Sequence, residues 1–208
     1  MSAGNPIVEC VPNFSNGRDK DVIEAISQAI RDVPGAALLD VDPGEATNRT
    51  VYTMVGAPDA VVEAAFQAIA RGKELIDMRG QKGAHPRMGA CDVCPFVPVA
   101  NITMEECAEL ARQLGARVGS ELSIPVYLYE HAASKPEWKN LAVVRQGEYE
   151  GLEARSSDPY WEPDFGPVFD AKTGATAVGA RPFLIAYNIN LNTREVRKAQ
   201  KISAILRE

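Results

Sequence analysis

Hydrophobic and polar residues alternate with two different periods along this chain, and the places where the period changes mark its elements. Ile7 to Phe14 is apolar at every second position or nearly so, which predicts a first strand. From Asp19 to Val33 the apolar residues Val22, Ile23, Ile26, Ile30 and Val33 recur at helical spacing, and Pro34-Gly35 ends the helix. Ala36 to Asp42 reads as a strand running into a turn at Pro43-Gly44, and Thr50 to Val55, rich in β-branched and aromatic residues, as its hairpin partner. Pro58 opens a long helix to Ile76 with Val62, Phe66, Ile69 and Ile76 facing inward. A polar, glycine-rich stretch from Met78 to Gly89 interrupts the pattern before a strand at Asp92 to Val97, a helix from Thr103 to Leu122 and a strand at Pro125 to Tyr129.

The first six elements run β-α-β-β-α-β. This predicts an α/β (α+β) fold with a ferredoxin-like split βαβ mixed sheet and helices packed on one face. Gly147 to Gly179 has no clear period and reads as an irregular functional segment or a linker. Phe183 to Leu191 and Thr193 to Leu206 then read as a fresh strand and helix, the start of a second similar subdomain. The expected division is 1–180 for the first subdomain and 181–208 for the beginning, incomplete, of the second. No internal repeat is present. A chain of 208 residues can bury roughly 70% of its extended surface, enough for a substantial core.

Composition narrows the partners. A net charge of −6 with interspersed acids and bases argues against a nucleic-acid or anionic-membrane surface. An anionic substrate would therefore need locally concentrated cations. No run approaches the ~18 apolar residues of a membrane span, and the N-terminus lacks the pattern of a signal peptide, so a cytoplasmic location is expected. There Cys10, Cys91, Cys94 and Cys107 would be thiols. Cys91-Asp92-Val93-Cys94 is a weak metal or redox signal: it has no second pair, and three-residue spacing on a strand sends the two side chains to opposite faces. No metal is expected.

The chemistry concentrates in few residues. His85 sits in a glycine-bracketed loop, Gly83 to Gly89, between Lys82 and Arg87, with Pro86 enforcing an extended backbone. That presentation suits acid–base work near neutral pH on a carboxylate-bearing substrate, with Arg87 holding the carboxylate. A surface turn histidine is the plain alternative. His131 reads as a partly exposed residue. Asp40 and Asp42 share one face at a strand end, where a carboxylate could orient an imidazole or accept a substrate N–H; turn formation accounts for one of them. Asn13, Arg18 and Arg49 supply polar and cationic groups near the first helix start, an anion cradle unless Ser15, Asn16 or Asp19 simply caps the helix. The segment Gly166-Pro167-Val168-Phe169-Asp170-Ala171-Lys172-Thr173-Gly174 lacks P-loop spacing and reads as a loop over a flat ligand or as a linker.

Several stretches together resemble the glutamate formimidoyltransferase family: residues 8–15, 38–42, 47–53, 85–89, 92–96, 125–129, 163–167, 179–181 and 183–191. The resemblance covers nearly the whole chain. It implies two similar α/β subdomains with a folate site between them, and transfer of a formimino group from N-formimino-L-glutamate to tetrahydrofolate in histidine degradation. It places the catalytic histidine at His85, an assisting aspartate at Asp42, and folate contacts on Gly166 to Gly174; Asn13, Arg49 and Arg87 are the substrate-binding candidates read from their own positions. Tetrahydrofolate would be a co-substrate. His131 and Cys91 depart from the family pattern. The family's transferase unit is longer than this chain, so a homo-oligomer or a complementary second half is the expected partner. The rival readings are an inactive or partner-dependent folate-binding half, a glutamate formyltransferase, and a phosphatase resting on the Asn13 to Arg18 loop alone.

Overall fold

The computed structural model describes residues 4–185 and 191–206. Its centre is one mixed sheet. Strands β1 (Ile7–Cys10) and β2 (Asn13–Phe14) form a single line broken at Pro12. Pairing continues through the break, because Val11 donates to the Pro95 carbonyl and Tyr52 to that of Pro12. Helix α1 (Lys20–Arg31) leads to the hairpin of β3 (Ala36–Gly44) and β4 (Arg49–Gly56), and helix α2 (Pro58–Leu75) leads to β5 (Cys91–Ala100). The β1–β2 line lies between β4 and β5, antiparallel to both, with β3 outside β4. This is the expected split βαβ half.

Helix α3 (Met104–Leu122) then carries the chain to β6 (Val126–Glu130), and β7 (Thr176–Ala180) slots between β5 and β6, parallel to each. Helices α1, α2 and α3 cover one face. Phe14, Ile26, Ile30, Tyr52, Met54, Ile69, Phe96 and Leu114 form the main core there. The N-termini of these helices follow local chemistry. Asp19 caps α1 by accepting from Asp21 and Val22, Pro58 opens α2, and Thr103 with Glu106 forms a reciprocal capping box on α3.

The stretch expected to be irregular is partly ordered. Helix α5 (Glu148–Arg155) lies within it and β7 closes it, while the short helix α4 (Leu141–Val144) comes just before. With a short turn at Pro136–Lys139 they build a second core on the opposite face, made of Met88, Val93, Tyr127, Tyr129, Trp138, Val144, Leu152 and Ala177. Over β3 and β4 that face stays uncovered, because alternate residues of β4 (Val51, Thr53 and Val55) are only half-buried while Thr50, Tyr52 and Met54 face the helices. The strand expected over 183–191 lies largely outside the described residues. Phe183, Leu184 and Ile185, which lead into it, are exposed. Helix α6 (Val196–Leu206) forms near the expected position and has no buried residue. No helix of the described residues is long and apolar enough to cross a membrane.

The cysteine pair departs from the alternation argument. Asn13 pairs with Val93 while Phe14 pairs with Cys91, so β5 carries one extra residue at this point. The bulge puts both Cys91 and Cys94 into the helix-side core, where Cys94 Sγ lies 3.4 Å from Cys10 Sγ. Val93 joins the opposite core, and Asp92 reaches partners on that same side. Among the described residues, no group of three or more His, Cys, Asp or Glu side chains is placed to hold a metal ion.

Candidate active site

One end of the sheet collects the candidate residues. Strand β4 runs parallel to β5, and both are antiparallel to the β1–β2 line. The short β2 (with Asn13), the start of β4 (Arg49), the loop entering β5 (His85 to Ala90) and the loop entering β7 (Gly166 to Ala175) therefore meet on the same side.

Close packing shapes the histidine loop. A side chain at Gly83 would sit 2.1 Å from the Thr47 carbonyl oxygen, so this position admits only hydrogen if the loop is to lie on the β3–β4 turn. Asn48, itself in the left-handed region at φ +50°, ties the pieces together. Its amide donates to the Lys82 carbonyl at 2.9 Å and its oxygen accepts from Gly17 N–H at 3.0 Å. At the other bracket, Gly89 packs against the Ala175 backbone, and Ser15 Oγ donates to the Gly89 carbonyl at 2.7 Å.

His85 is half-buried against Arg49. Its Nδ1 lies 2.6 Å from the Pro86 carbonyl, and Arg49 Nη1 lies 2.9 Å from its Nε2. The Pro86 carbonyl can only accept, which assigns the neutral ring's proton to Nδ1 and leaves Nε2 as the basic nitrogen. Arg49 Nη1 also approaches Nδ1, at 2.5 Å, so the guanidinium lies across the ring. Burial first, and the Arg49 cation second, hold the His85 pKa below its ordinary 6.5. Arg49 is oriented in turn by Asn13 Oδ1, which accepts from its Nε at 2.9 Å and its Nη2 at 2.6 Å. Asn13, Arg49 and His85, expected separately from the sequence, are thus in direct contact.

The other expected residues separate from this cluster. Asp42 pairs with Val51 in the hairpin and is exposed. Its carboxylate has no hydrogen-bond or ion-pair partner among the described residues. The Pro86 carbonyl occupies the position beside Nδ1 that Asp42 was expected to take. Arg87 is already paired within the protein. It is buried, and its guanidinium makes a two-pronged contact with Glu150 at 2.8 Å, bonds Gln81 Oε1 at 2.8 Å and reaches the Gln81 carbonyl and Glu148. Those contacts clamp the histidine loop to α5, beside a cleft of about 540 Å³ also lined by Lys82, Gly83 and Gly147. Arg87→Met is therefore expected to lower stability by about 1.5–3 kcal/mol, the range for hydrogen bonds to charged groups, and not to raise KM selectively. Denaturant unfolding alongside kinetics checks this; a large KM effect at unchanged stability would restore the carboxylate-holding role.

The anion cradle is also filled. Asn16 Oδ1 accepts from Asp19 N–H and Asp19 from Asp21 and Val22, while Arg18 donates to the Glu45 carbonyl at 2.9 Å. Loop Gly166 to Gly174 is held by both glycines at positive φ, by Asp170 Oδ1 accepting from Lys172 and Thr173 N–H, and by Met78 donating to the Lys172 carbonyl. Val168 at its tip is 54% exposed.

Two residues at the site escaped sequence reasoning. Asp92 is fully buried and bonds Arg145, which follows α4. A charged residue inside the apolar run 91–97 was a readable sign of a paired buried charge. Arg145, between the strand expected at Pro125 to Tyr129 and the irregular segment from Gly147, had none.

Against known proteins, the description formiminotransferase domain, N-terminal subdomain, matches residues 7–181. The chain is 54% identical to formimidoyltransferase-cyclodeaminase of Dictyostelium discoideum over 98% of its own length and 38% of that protein's. It is 46% identical to glutamate formimidoyltransferase of Streptococcus pyogenes serotype M1, covering 97% of this chain and 68% of the relative. Glutamate formimidoyltransferase of Thermoplasma acidophilum is 48% identical, with 97% and 67% covered. The chain thus spans little more than a third of the proteins named formimidoyltransferase-cyclodeaminase and about two thirds of those named glutamate formimidoyltransferase. Sequence and fold together place this chain in the formiminotransferase family, over its N-terminal subdomain.

Proposed function

We propose that this chain supplies the acid–base half of an enzyme that moves the formimino group of N-formimino-L-glutamate to tetrahydrofolate, giving 5-formiminotetrahydrofolate and glutamate in histidine degradation. The observation that carries the reading is the His85–Arg49–Asn13 cluster: a half-buried imidazole whose Nδ1 faces the Pro86 carbonyl and whose ring is crossed by the Arg49 guanidinium, itself held by Asn13. The names and identities of the relatives support the same substrates.

The chemistry asks for a group that takes a proton and gives it back. Tetrahydrofolate supplies the nucleophilic nitrogen. His85 Nε2 accepts the proton released when that nitrogen bonds to the amidine carbon, and returns a proton to the glutamate nitrogen so that it can leave. Arg49, released from the ring as substrate enters, is free to pair with a glutamate carboxylate while Asn13 keeps its side chain aligned. Asp42, exposed on the same uncovered sheet face, accepts an amidine N–H of the donor. Loop Gly166 to Gly174 contacts tetrahydrofolate through its exposed tip, and the flat surface over Val51, Thr53 and Val55 suits a planar ring.

Residues 1–180 form the N-terminal subdomain in this reading, and 181–208 begin the second. Phe183, Leu184, Ile185, Val196 and Ile205, all strongly exposed, are then the surface that a complementary half or a second copy covers. The test is formation of 5-formiminotetrahydrofolate from N-formimino-L-glutamate, with N-formyl-L-glutamate as rival donor. It is run on this chain and on a version carrying the rest of the length of the glutamate formimidoyltransferases. Faster transfer of formyl would change the donor; no transfer by either protein would sink the reading.

A further inference from the structure

Asp92 is the one carboxylate on which three parts of the site converge. It is fully buried. Its Oδ1 accepts from the Met88 N–H at 3.1 Å, which ties it to the histidine loop. Arg145 donates to it from Nη2 at 2.5 Å and from Nε at 3.3 Å, and Arg49 Nη1 lies 3.4 Å from Oδ2. The β5 bulge is what brings it here, since regular alternation would aim residue 92 with Cys94 and Phe96 into the helix-side core.

Stability gives little reason for such an arrangement. Burying a carboxylate and two guanidiniums costs several kcal/mol per ion before any attraction is counted, and an apolar residue at 92 would pack into the second core without that cost. The charges do not cancel either: two cations share one anion beside an imidazole.

We propose that Asp92, with Arg145, is the positioning element that holds Arg49 across the His85 ring and balances the charge around it. Arg49 bridges the two groups: the same Nη1 that contacts Asp92 contacts His85, so the carboxylate decides where the cation sits. Arg145 carries half of the balance. It arrives from the α4–α5 segment, and that segment is tied to the histidine loop by Tyr149 N–H donating to the Arg87 carbonyl and by the Arg87–Glu150 contact. The charged groups facing His85 are therefore Arg49 from β4, Asp92 from β5 and Arg145 beyond α4, with the Pro86 carbonyl from its own loop. Arg49 and Arg145 favour the neutral ring; Asp92 and Pro86 favour the charged one.

The inference rests on His85 being the acid–base group, yet it can be tested without turnover. The chain has two histidines, and His131 follows β6 at the opposite end of the sheet, so its resonance is an internal reference. Histidine NMR titration of Asp92→Asn is expected to move the His85 midpoint down, because an anion is lost. Arg145→Met is expected to move it up, because a cation is lost. The double variant, which removes one of each, should return towards the native value. A role in packing alone would lower the melting temperature of both variants and move His85 in one direction in both, towards the value of a solvent-exposed histidine. That result, or an unmoved His85 in folded variants, overturns the proposal. Should Asp92→Asn not fold, Arg145→Lys decides it beside Arg145→Met: it keeps the cation while losing the same packing, so a midpoint nearer the native one than in Arg145→Met supports the proposal and an equal upward shift in both overturns it. Failure here would leave the His85→Ala kinetics intact, and loss of the acid–base reading would leave these shifts intact.

Discussion

Replacing His85 with alanine is expected to lower kcat by about 10²–10⁴-fold, the usual worth of a positioned proton shuttle, while tetrahydrofolate affinity stays within a few-fold. The two parameters separate because the imidazole acts on the transferring proton rather than on bound substrate. At 1.36 kcal/mol per factor of ten, the loss corresponds to about 3–5 kcal/mol, so orientation of the two substrates must provide the remaining acceleration. The pH profile follows from the structure. A base works in its neutral form, and burial together with Arg49 lowers the His85 pKa, so the neutral ring persists to lower pH than in a free histidine. The acid limb of kcat/KM should accordingly fall below 6.5 in the native enzyme and disappear in the variant. Steady-state kinetics across pH, in the version of the protein that shows turnover, checks both points. Near-normal kcat in His85→Ala would end the acid–base assignment.

How far the sequence could anticipate this site depended on whether a residue's partner lay nearby in the chain. The histidine loop was readable because its glycines, proline and flanking cations sit within a few residues of His85. Asn13 and Arg49 were readable as polar positions at element ends, although nothing in the order of residues said they would touch. The contacts of Arg87 were not readable for the opposite reason: its partners Glu148 and Glu150 lie more than sixty positions away, in a segment without period. Strand β7 was missed because Thr176 to Ala180 is short, small and glycine-containing, buried on both faces between parallel neighbours, and so lacks the alternation that marks a half-exposed strand. The bulge at Asp92 left no local trace, since an extra residue in one strand shows only against its partner.

Trp138→Ala should produce the largest loss of stability among single substitutions at the second core, about 3–5 kcal/mol for a buried tryptophan. For a domain of this size that is a fall of roughly 6–20 °C in melting temperature. The indole is fully buried. It meets Tyr127 edge-on at 5.2 Å and carries the Lys135 ammonium 3.8 Å above its ring. It shares its cluster with Val144, the residue before Arg145. Cavity formation here should loosen the α4–α5 segment more than the helix-side core, so amide exchange ought to rise first across 141–155. A loss below about 1 kcal/mol, measured by denaturant unfolding, would mean the site collapses around the missing ring far better than the usual range allows.

The place of β7 has a consequence for how the chain acquires its shape. Strands β5 and β6 cannot meet each other, because the slot between them belongs to residues 176–180, some fifty positions further on. Until that stretch arrives, two parallel edges stand open, the least local and slowest kind of pairing to complete. The segment carrying Trp138 and Arg145 is spanned between β6 and β7, so its second core closes around the finished slot. During synthesis, then, the split βαβ half and its three long helices can assemble early, while the far bracket of the histidine loop and the guanidinium opposite Asp92 dock last. Pulse-labelled hydrogen exchange during refolding should find amides of β4 protected before those of β7 and α5, which makes the charge balance of the site the final step of maturation rather than a property of the early fold.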